Sequence, residues 1–206
     1  MEKIVWKYKT PGIPDQYFIR GKVPMTKEEV RAVTISKLRL QEDSIVVDIG
    51  AGTGSIAIEA AHICRLGKVV AIERNEEGIQ LIRQNQQRFQ VELDILHGNG
   101  AALLHTIDFF DRAIVGGSGG ELEEILALCY QKLPDMGIVV VNAVTIETLY
   151  EATQYMKECG YQDIEVISLQ TARGKQLGKY TLMEALNPIY VISGTKGQSS
   201  EQEEER

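Results

Sequence analysis

The sequence predicts an α/β domain built on a mainly parallel seven-stranded sheet with one late antiparallel strand. Three observations carry this. Short β-branched apolar runs alternate with helical patterns in five successive units. Two more apolar runs, Ile164–Leu169 and Ile189–Ser193, close the chain with no clear helix between them, so the last strand returns antiparallel. Between the first strand, Ser44-Ile45-Val46-Val47-Asp48-Ile49, and the helical pattern from Ile56 stand three glycines at alternate positions. A strand, a glycine loop and a helix start form the local architecture of a nucleotide site at the carboxyl end of a parallel strand.

Each element has its own signal. Residues 1–24 are aromatic and rich in breakers (Trp6, Tyr8, Pro11, Gly12, Pro14, Tyr17, Phe18, Gly21, Pro24), which suits a segment covering an edge or the mouth of a site. Thr26 and Glu29 have the spacing of a capping box opening a helix with Val30, Val33, Thr34, Ile35 and Leu38 on its apolar face. Val69-Val70-Ala71-Ile72-Glu73 is the second strand, and Asn75-Glu76-Glu77 opens a helix running to Phe89. Val91–His97 reads as the third strand, with Gly98-Asn99-Gly100-Ala101 after it. Phe109–Val115 is the fourth, running into Gly116-Gly117-Ser118-Gly119-Gly120 and a helix over Glu121–Lys132. Ile138–Asn142 is the fifth, and Thr145 opens a helix to Cys159 that Gly160 stops. The domain thus spans residues 25–195; from Gly194 the chain turns polar, and 196–206 reads as a disordered acidic tail.

A chain of 206 residues fits one such domain, and 44% hydrophobic with 25% charged residues is ordinary for a soluble globular protein. The net charge is −7, of which the last ten residues, with four Glu and one Arg, contribute −3. An acidic body argues against a nucleic-acid partner, which normally requires a basic face. The three cysteines, Cys64, Cys129 and Cys159, have no pairing pattern and fit a reducing compartment. No apolar run is long enough for a membrane span, and Met1-Glu2-Lys3-Ile4 has no signal-peptide core, so the expectation is a soluble, cytoplasmic protein. His62, His97 and His105 lack metal-ligand spacing, so no bound metal is expected, and His62 reads as a structural helix residue.

The glycine spacing separates two nucleotide readings. A dinucleotide fingerprint counted from Gly50 would place its third glycine at Ser55. What stands here is Asp48-x-Gly50-x-Gly52-x-Gly54, which resembles the first motif of the Rossmann-like class I S-adenosylmethionine (SAM) methyltransferases. In that superfamily the loop Gly50-Ala51-Gly52-Thr53-Gly54 packs on the amino-acid part of SAM. The acid closing the next strand, Glu73, accepts the ribose hydroxyls, and Asn99, Gly100 and Ala101 stand where the adenine is lined. Asp48 either orients the SAM ammonium or satisfies buried backbone donors.

A narrower resemblance rests on Gly12-Ile13-Pro14-Asp15, Pro24-Met25-Thr26-Lys27-Glu28-Glu29-Val30-Arg31, the loop Asp48–Gly54, Asp111-Arg112 leading to the glycine run, and Asn142–Leu149. Over about residues 10–195 these are similar to the cobalt-precorrin carbon-15 methyltransferases of the cobalamin pathway, which also decarboxylate the acetate on carbon 12. The resemblance implies SAM as cofactor, a tetrapyrrole substrate and a homo-oligomer, a tetramer in the family. It places Thr26 at the methionine end of SAM, although a plain helix cap needs no ligand. The Pro-Pro motif of amine methyltransferases is missing after the fourth strand. The glycine run exposes backbone N–H groups instead, so Gly116, Gly117, Ser118 and Gly119 are candidates to seat a substrate carboxylate, and the resemblance adds Asn142 as a further substrate-binding candidate. The basic loop Arg173–Lys179, with Arg173, Lys175 and Lys179, is the first candidate to hold further carboxylates, and Arg20 and Lys22 the next. Methyl transfer to carbon asks mainly for positioning, and decarboxylation uses the conjugated ring as its electron sink. Tyr17, Tyr180 or water would then deliver a proton.

Overall fold

The computed structural model describes residues 3–198. In chain order it forms α1 (Glu28–Leu38), β1 (Ile45–Ile49), α2 (Ser55–Ile63), β2 (Lys68–Glu73), α3 (Glu76–Phe89), β3 (Asp94–His97), α4 (Gly100–His105), β4 (Arg112–Val115), α5 (Leu122–Lys132), β5 (Ile138–Ala143) and α6 (Ile146–Cys159). β6 (Gln162–Leu169), β7 (Ala172–Leu177), β8 (Tyr180–Ala185) and β9 (Ile189–Thr195) complete it. The main sheet has the order β3-β2-β1-β4-β5-β9-β6. β1 pairs in parallel with both β2 and β4, while β9 runs antiparallel between β5 and β6. The order reverses at β1, so the loops leaving β1 and β4 part above the sheet and open a crevice.

Both faces of this sheet are covered, which is why its central strands are continuously apolar. Val47, Ile49, Val70 and Ile72 pack into the core shared with Leu104, Leu126 and Met156, from α4, α5 and α6. Val46, Val69, Ala71 and Ile114 pack on the other side with Ile35, Ile58 and Ile82, from α1, α2 and α3. Among the described residues no helix is long and apolar enough to cross a membrane.

A buried charge network fastens the N-terminal segment to the second of these cores. Arg31 is fully buried and donates to Glu59 Oε1 (2.9 Å), Asp15 Oδ1 (3.0 Å) and the carbonyls of Ile13 and Thr26. Its guanidinium also lies 4.6 Å from the centre of the Phe18 ring. Glu59 accepts in turn from the N–H groups of Gly12 and Ile13. Every member has partners, which offsets the cost of taking these charges out of water. Asn85 extends the tie, accepting from Ile19 N–H and donating to the carbonyls of Ile19 and Thr53. The segment is thereby held against the glycine loop.

Several sequence expectations change at this level. The capping box does not form: α1 begins at Glu28, and the Glu28 N–H is satisfied by the Asp15 carboxylate (3.0 Å). A remote acid already holding Arg31 replaces the local threonine. β3 begins at Asp94 and β4 at Arg112; Asp111 still bonds through its backbone to Ile45 and Ile138, while Phe110 drops into the core. The polar connection after β6 is a hairpin in which β7 pairs antiparallel with β8. Gly194 and Thr195 belong to β9, paired with Val139 and Ile138, and Lys196 continues the contact through Met136 and Gly137. Most of the expected acidic tail lies outside the described residues.

Candidate active site

The crevice at the carboxyl ends of β1, β2, β3 and β4 is a cleft of about 460 Å³. Gly50 and Gly52 of the first loop, Glu73, Asn99 and Gly100 line it, together with Gly117 and Ser118 of the glycine run. The two glycine loops meet backbone to backbone. Gly50 has φ +71°, and a Cβ there would stand 2.4 Å from the Gly117 carbonyl oxygen, so no other residue fits without parting the loops. Gly50 and Ala51 both donate to the Ile72 carbonyl (2.9 and 3.0 Å), locking the loop to the end of β2. Ala51, Thr53, Gly54 and Ala101 support this wall from behind: Thr53 and Ala101 are buried, and Gly54 abuts Ile82.

Glu73 is the fixed acid of the cleft. It is only 7% exposed, and its two oxygens accept from the N–H groups of Asn75 and Gly52, each at 2.8 Å. Each oxygen keeps a second lone-pair direction, so the carboxylate is oriented and still able to accept from a ligand diol. Asn99 caps α4 by accepting from Ala102 N–H (2.9 Å) and gives its amide protons to both oxygens of Glu121 (2.8 and 2.7 Å). Its side chain is therefore committed, and what it adds to the cleft is a fixed wall.

Several wall residues carry no strong sequence signal. Val23 and Pro24 come from the N-terminal segment; the Pro24 carbonyl would be 2.9 Å from a Cβ on Gly52. Lys22, the second-ranked candidate cation, also lines the cleft, and its N–H donates to Glu77 Oε1 (2.7 Å). Arg74 and Glu121 also line the cleft. Their one sequence signal is position, immediately after the strand-end acid and the glycine run.

The glycine run is less open than its composition implies. The N–H groups of Gly116 and Gly117 turn inward to the Ile49 carbonyl (2.8 and 3.4 Å), because β4 continues its pairing with β1 for one more turn of the backbone. Among the described residues the N–H groups of Ser118, Gly119 and Gly120 have no protein acceptor. A Cβ on Gly117 would meet nothing within 4 Å.

The other expected site residues stand outside this cleft. Arg173 is not a free cation: it holds Glu29 (2.7 and 3.0 Å) and Asp15 (3.1 Å), tying the hairpin to the start of α1. That pairing raises the Arg173 pKa and holds the Glu29 carboxyl below the ordinary carboxylate range. Lys175 pairs with Glu184 (3.2 Å), and Lys179, in the hairpin turn, sits 5.2 Å from the centre of the Tyr180 ring. Tyr180 is exposed, and Tyr17 packs beside Trp6. Asn142 is buried at the end of β5, with Oδ1 against the Thr34 hydroxyl. Thr26 offers its carbonyl to Arg31 and caps nothing.

Asp48 is buried beneath the glycine loop. One oxygen accepts from Ala57 N–H (3.2 Å), the other has no partner, and burial pushes its pKa up to about 7, with the Glu73 charge adding to the rise. It satisfies one backbone donor, the Ala57 N–H. His62 has a buried Nε2 without a partner and lies edge-on to Phe89, and burial lowers its pKa. Among the described residues no cluster has the composition of a metal site.

Residues 16–196 match the family model described as a precorrin methyltransferase domain. A protein of Pyrobaculum calidifontis named probable cobalt-precorrin-6B C(15)-methyltransferase (decarboxylating) is 42% identical over 194 residues, covering 92% of this chain and 98% of that one. One of the same name from Saccharolobus solfataricus is 38% identical, over 93% of this chain and 98% of its own. Among solved structures, a precorrin-6y C5,15-methyltransferase from Geobacter metallireducens superposes with a TM-score of 0.86 at 39% identity, over 92% of this chain and 100% of that one.

Proposed function

The chain belongs to the precorrin methyltransferase family, and on that premise we propose that it methylates carbon 15 of a cobalt-precorrin-6B ring and decarboxylates the acetate on carbon 12, in cobalamin biosynthesis. The observation that carries this reading is near end-to-end similarity at about two-fifths identity to enzymes of that name. The cleft supports it. Glu73 offers an oriented acceptor pair for a ribose diol, and the open backbone at Gly117, where a Cβ would meet nothing, leaves room for SAM to lie against the loops. Bound there, SAM supplies an electrophilic methyl group.

The chain's own part in the reaction is placement. Gly50 pressed on Gly117 fixes the separation between the wall proposed for the cofactor and the wall proposed for the substrate. The free N–H groups of Ser118, Gly119 and Gly120 are suited to a ring carboxylate. Holding the reacting atoms in line removes much of the entropic part of the barrier. Loss of carbon dioxide sends its electron pair into the conjugated ring, and a proton then completes the new methyl group. With Tyr17 and Tyr180 outside the cleft of one chain, water is the donor we favour.

We also read the enzyme as a cytoplasmic homo-oligomer, a tetramer by family resemblance. Leu177, Tyr180, Leu182 and Met183 of the hairpin are all more than half exposed, which supports association through that element. Mass analysis of a cobalt-precorrin-6B preparation incubated with SAM and this protein alone tests the function. The expected product has gained one methyl group and lost one carbon dioxide; an unchanged substrate mass overturns the reading.

A further inference from the structure

The β7–β8 hairpin stands off the domain. It forms its own two-stranded sheet, and every residue of its two strands except Arg173 is exposed. β9 runs antiparallel to both β5 and β6, so β6 is parallel to β5 and delivers the hairpin at the carboxyl ends of the strands, where the cleft lies. Among the described residues, the bonds from Arg173 to Asp15 and Glu29 are the only hydrogen bonds or ion pairs from either strand to the rest of the chain. The two acids lead to different places. Glu29 is a partly exposed side chain at the start of α1. Asp15 is only 6% exposed; its Oδ2 accepts from Arg173 (3.1 Å), and its Oδ1 from Arg31 and from Glu28 N–H (both 3.0 Å). Arg31 in turn holds the carbonyl of Thr26, just beyond Pro24. Val23 and Pro24 wall the cleft and lie over Gly52, whose N–H orients Glu73 (2.8 Å). A continuous line of contacts therefore runs from the hairpin through Asp15 and Arg31 to the loop that fixes the acid of the cleft.

We propose that Arg173 is a positioning residue that couples the hairpin to the cofactor cleft, so that association through the hairpin tightens binding of the S-adenosyl group. The two states differ in named contacts. With the hairpin docked, Asp15 holds three donors, and Arg31 keeps Thr26, and with it Pro24 and Val23, down on Gly52. With the hairpin released, Asp15 Oδ2 loses its partner inside the fold, and the carboxylate moves toward water to regain a donor. Arg31 follows it, and the wall over Gly52 loosens. Burying the exposed apolar side chains Leu177, Tyr180, Leu182 and Met183 between subunits favours the docked state. A nucleoside on Glu73 favours the same state, and linkage makes the two effects reciprocal. The inference rests on the methyltransferase and association readings above.

The test measures S-adenosylhomocysteine affinity by titration calorimetry, and assembly by sedimentation, in four proteins. They are wild type, Arg173→Ala, Leu182→Asp combined with Met183→Asp, and the protein carrying all three changes. The replaced side chains are exposed or half-exposed, and melting curves confirm that each protein is folded. Arg173→Ala should stay assembled yet bind roughly 5-fold or more weakly. The two hairpin charges should release monomers that have lost the same factor. The triple change should bind no more weakly than either, because both perturbations act through one link. Losses that multiply in the triple change, or wild-type affinity in either variant, overturn the coupling. An Arg173→Ala protein that dissociates acts through assembly alone and overturns it too. So does an assembly that survives the hairpin charges, or a wild type that is monomeric; nucleoside binding by wild type then leaves the methyltransferase reading standing. If wild type binds no nucleoside, it is the methyltransferase reading itself that fails.

Discussion

Replacing Gly50 with alanine tests the contact on which the cleft is built. The new Cβ would stand 2.4, 2.6 and 2.8 Å from the O, N and Cα of Gly117, all of them backbone atoms that no rotamer can move. Restoring an ordinary contact requires the two loops to part by about 1 Å, an overpacking that costs about 1–3 kcal/mol. The left-handed φ of +71° adds about 1–2 kcal/mol for any residue with a Cβ. Together these remove about 2–5 kcal/mol, which for a chain of this size lowers Tm by roughly 4–20 °C. Gly117→Ala is the matched control: its Cβ meets nothing within 4 Å and its φ is not positive, so its stability should stay within about 0.5 kcal/mol of wild type. Calorimetry gives both shifts, and titration with S-adenosylhomocysteine gives the second readout. Parting the loops also moves the Gly52 N–H off Glu73, so Gly50→Ala should bind at least about tenfold more weakly. A Gly50→Ala protein that melts and binds like wild type would refute the reasoning.

Three further outcomes follow from the buried and paired charges. Arg31→Met strips Asp15 and Glu59 of their shared cation inside the fold and should cost about 3–5 kcal/mol in urea unfolding; a loss below about 1 kcal/mol would show that water reaches them. Asp48 keeps its proton up to about pH 7 in the native state, whereas the unfolded chain releases it near 3.8, so its penalty grows as pH rises between those values and is complete above them. Asp48→Asn should therefore match wild type near pH 4 and exceed it by about a few kcal/mol at pH 8, and a pH-independent difference would exclude the assignment. Arg173→Ala should let the Glu29 carboxyl titrate back toward 4.5, followed by carboxyl-carbon NMR, and no movement would mean that the pair does not persist in solution.

Much of the site was legible because its signals are local. A β-branched run, three alternating glycines and a helix start specify strand, turn and cradle through the dihedral preferences of neighbouring residues. Glu73 stands out for the same reason, as an acid closing an apolar strand, and the structure places it in the cleft with Gly50, Gly52, Asn99 and Gly100. The basic hairpin was legible as charge but not as partnership. Arg173 reads as a free cation until the fold brings Glu29, 144 positions away in the chain, within 2.7 Å of it.

The sequence by itself determined the seven strands of the main sheet, most of the helices between them and the glycine loop, since each follows from the period of its apolar residues and from turn chemistry within a few positions. Only the tertiary structure decided which charges cancel and which remain available. It capped α1 with Asp15 in place of Thr26, turned two N–H groups of the glycine run to Ile49, and joined Gly194 to β9. It also paired two of the hairpin cations, Arg173 and Lys175, with acids while leaving Arg74 without an acid partner over Gly119. The physical reason is that a backbone conformation is chosen by adjacent residues, whereas an ion pair or a close approach of two loops depends on distances that exist only once the chain has closed on itself.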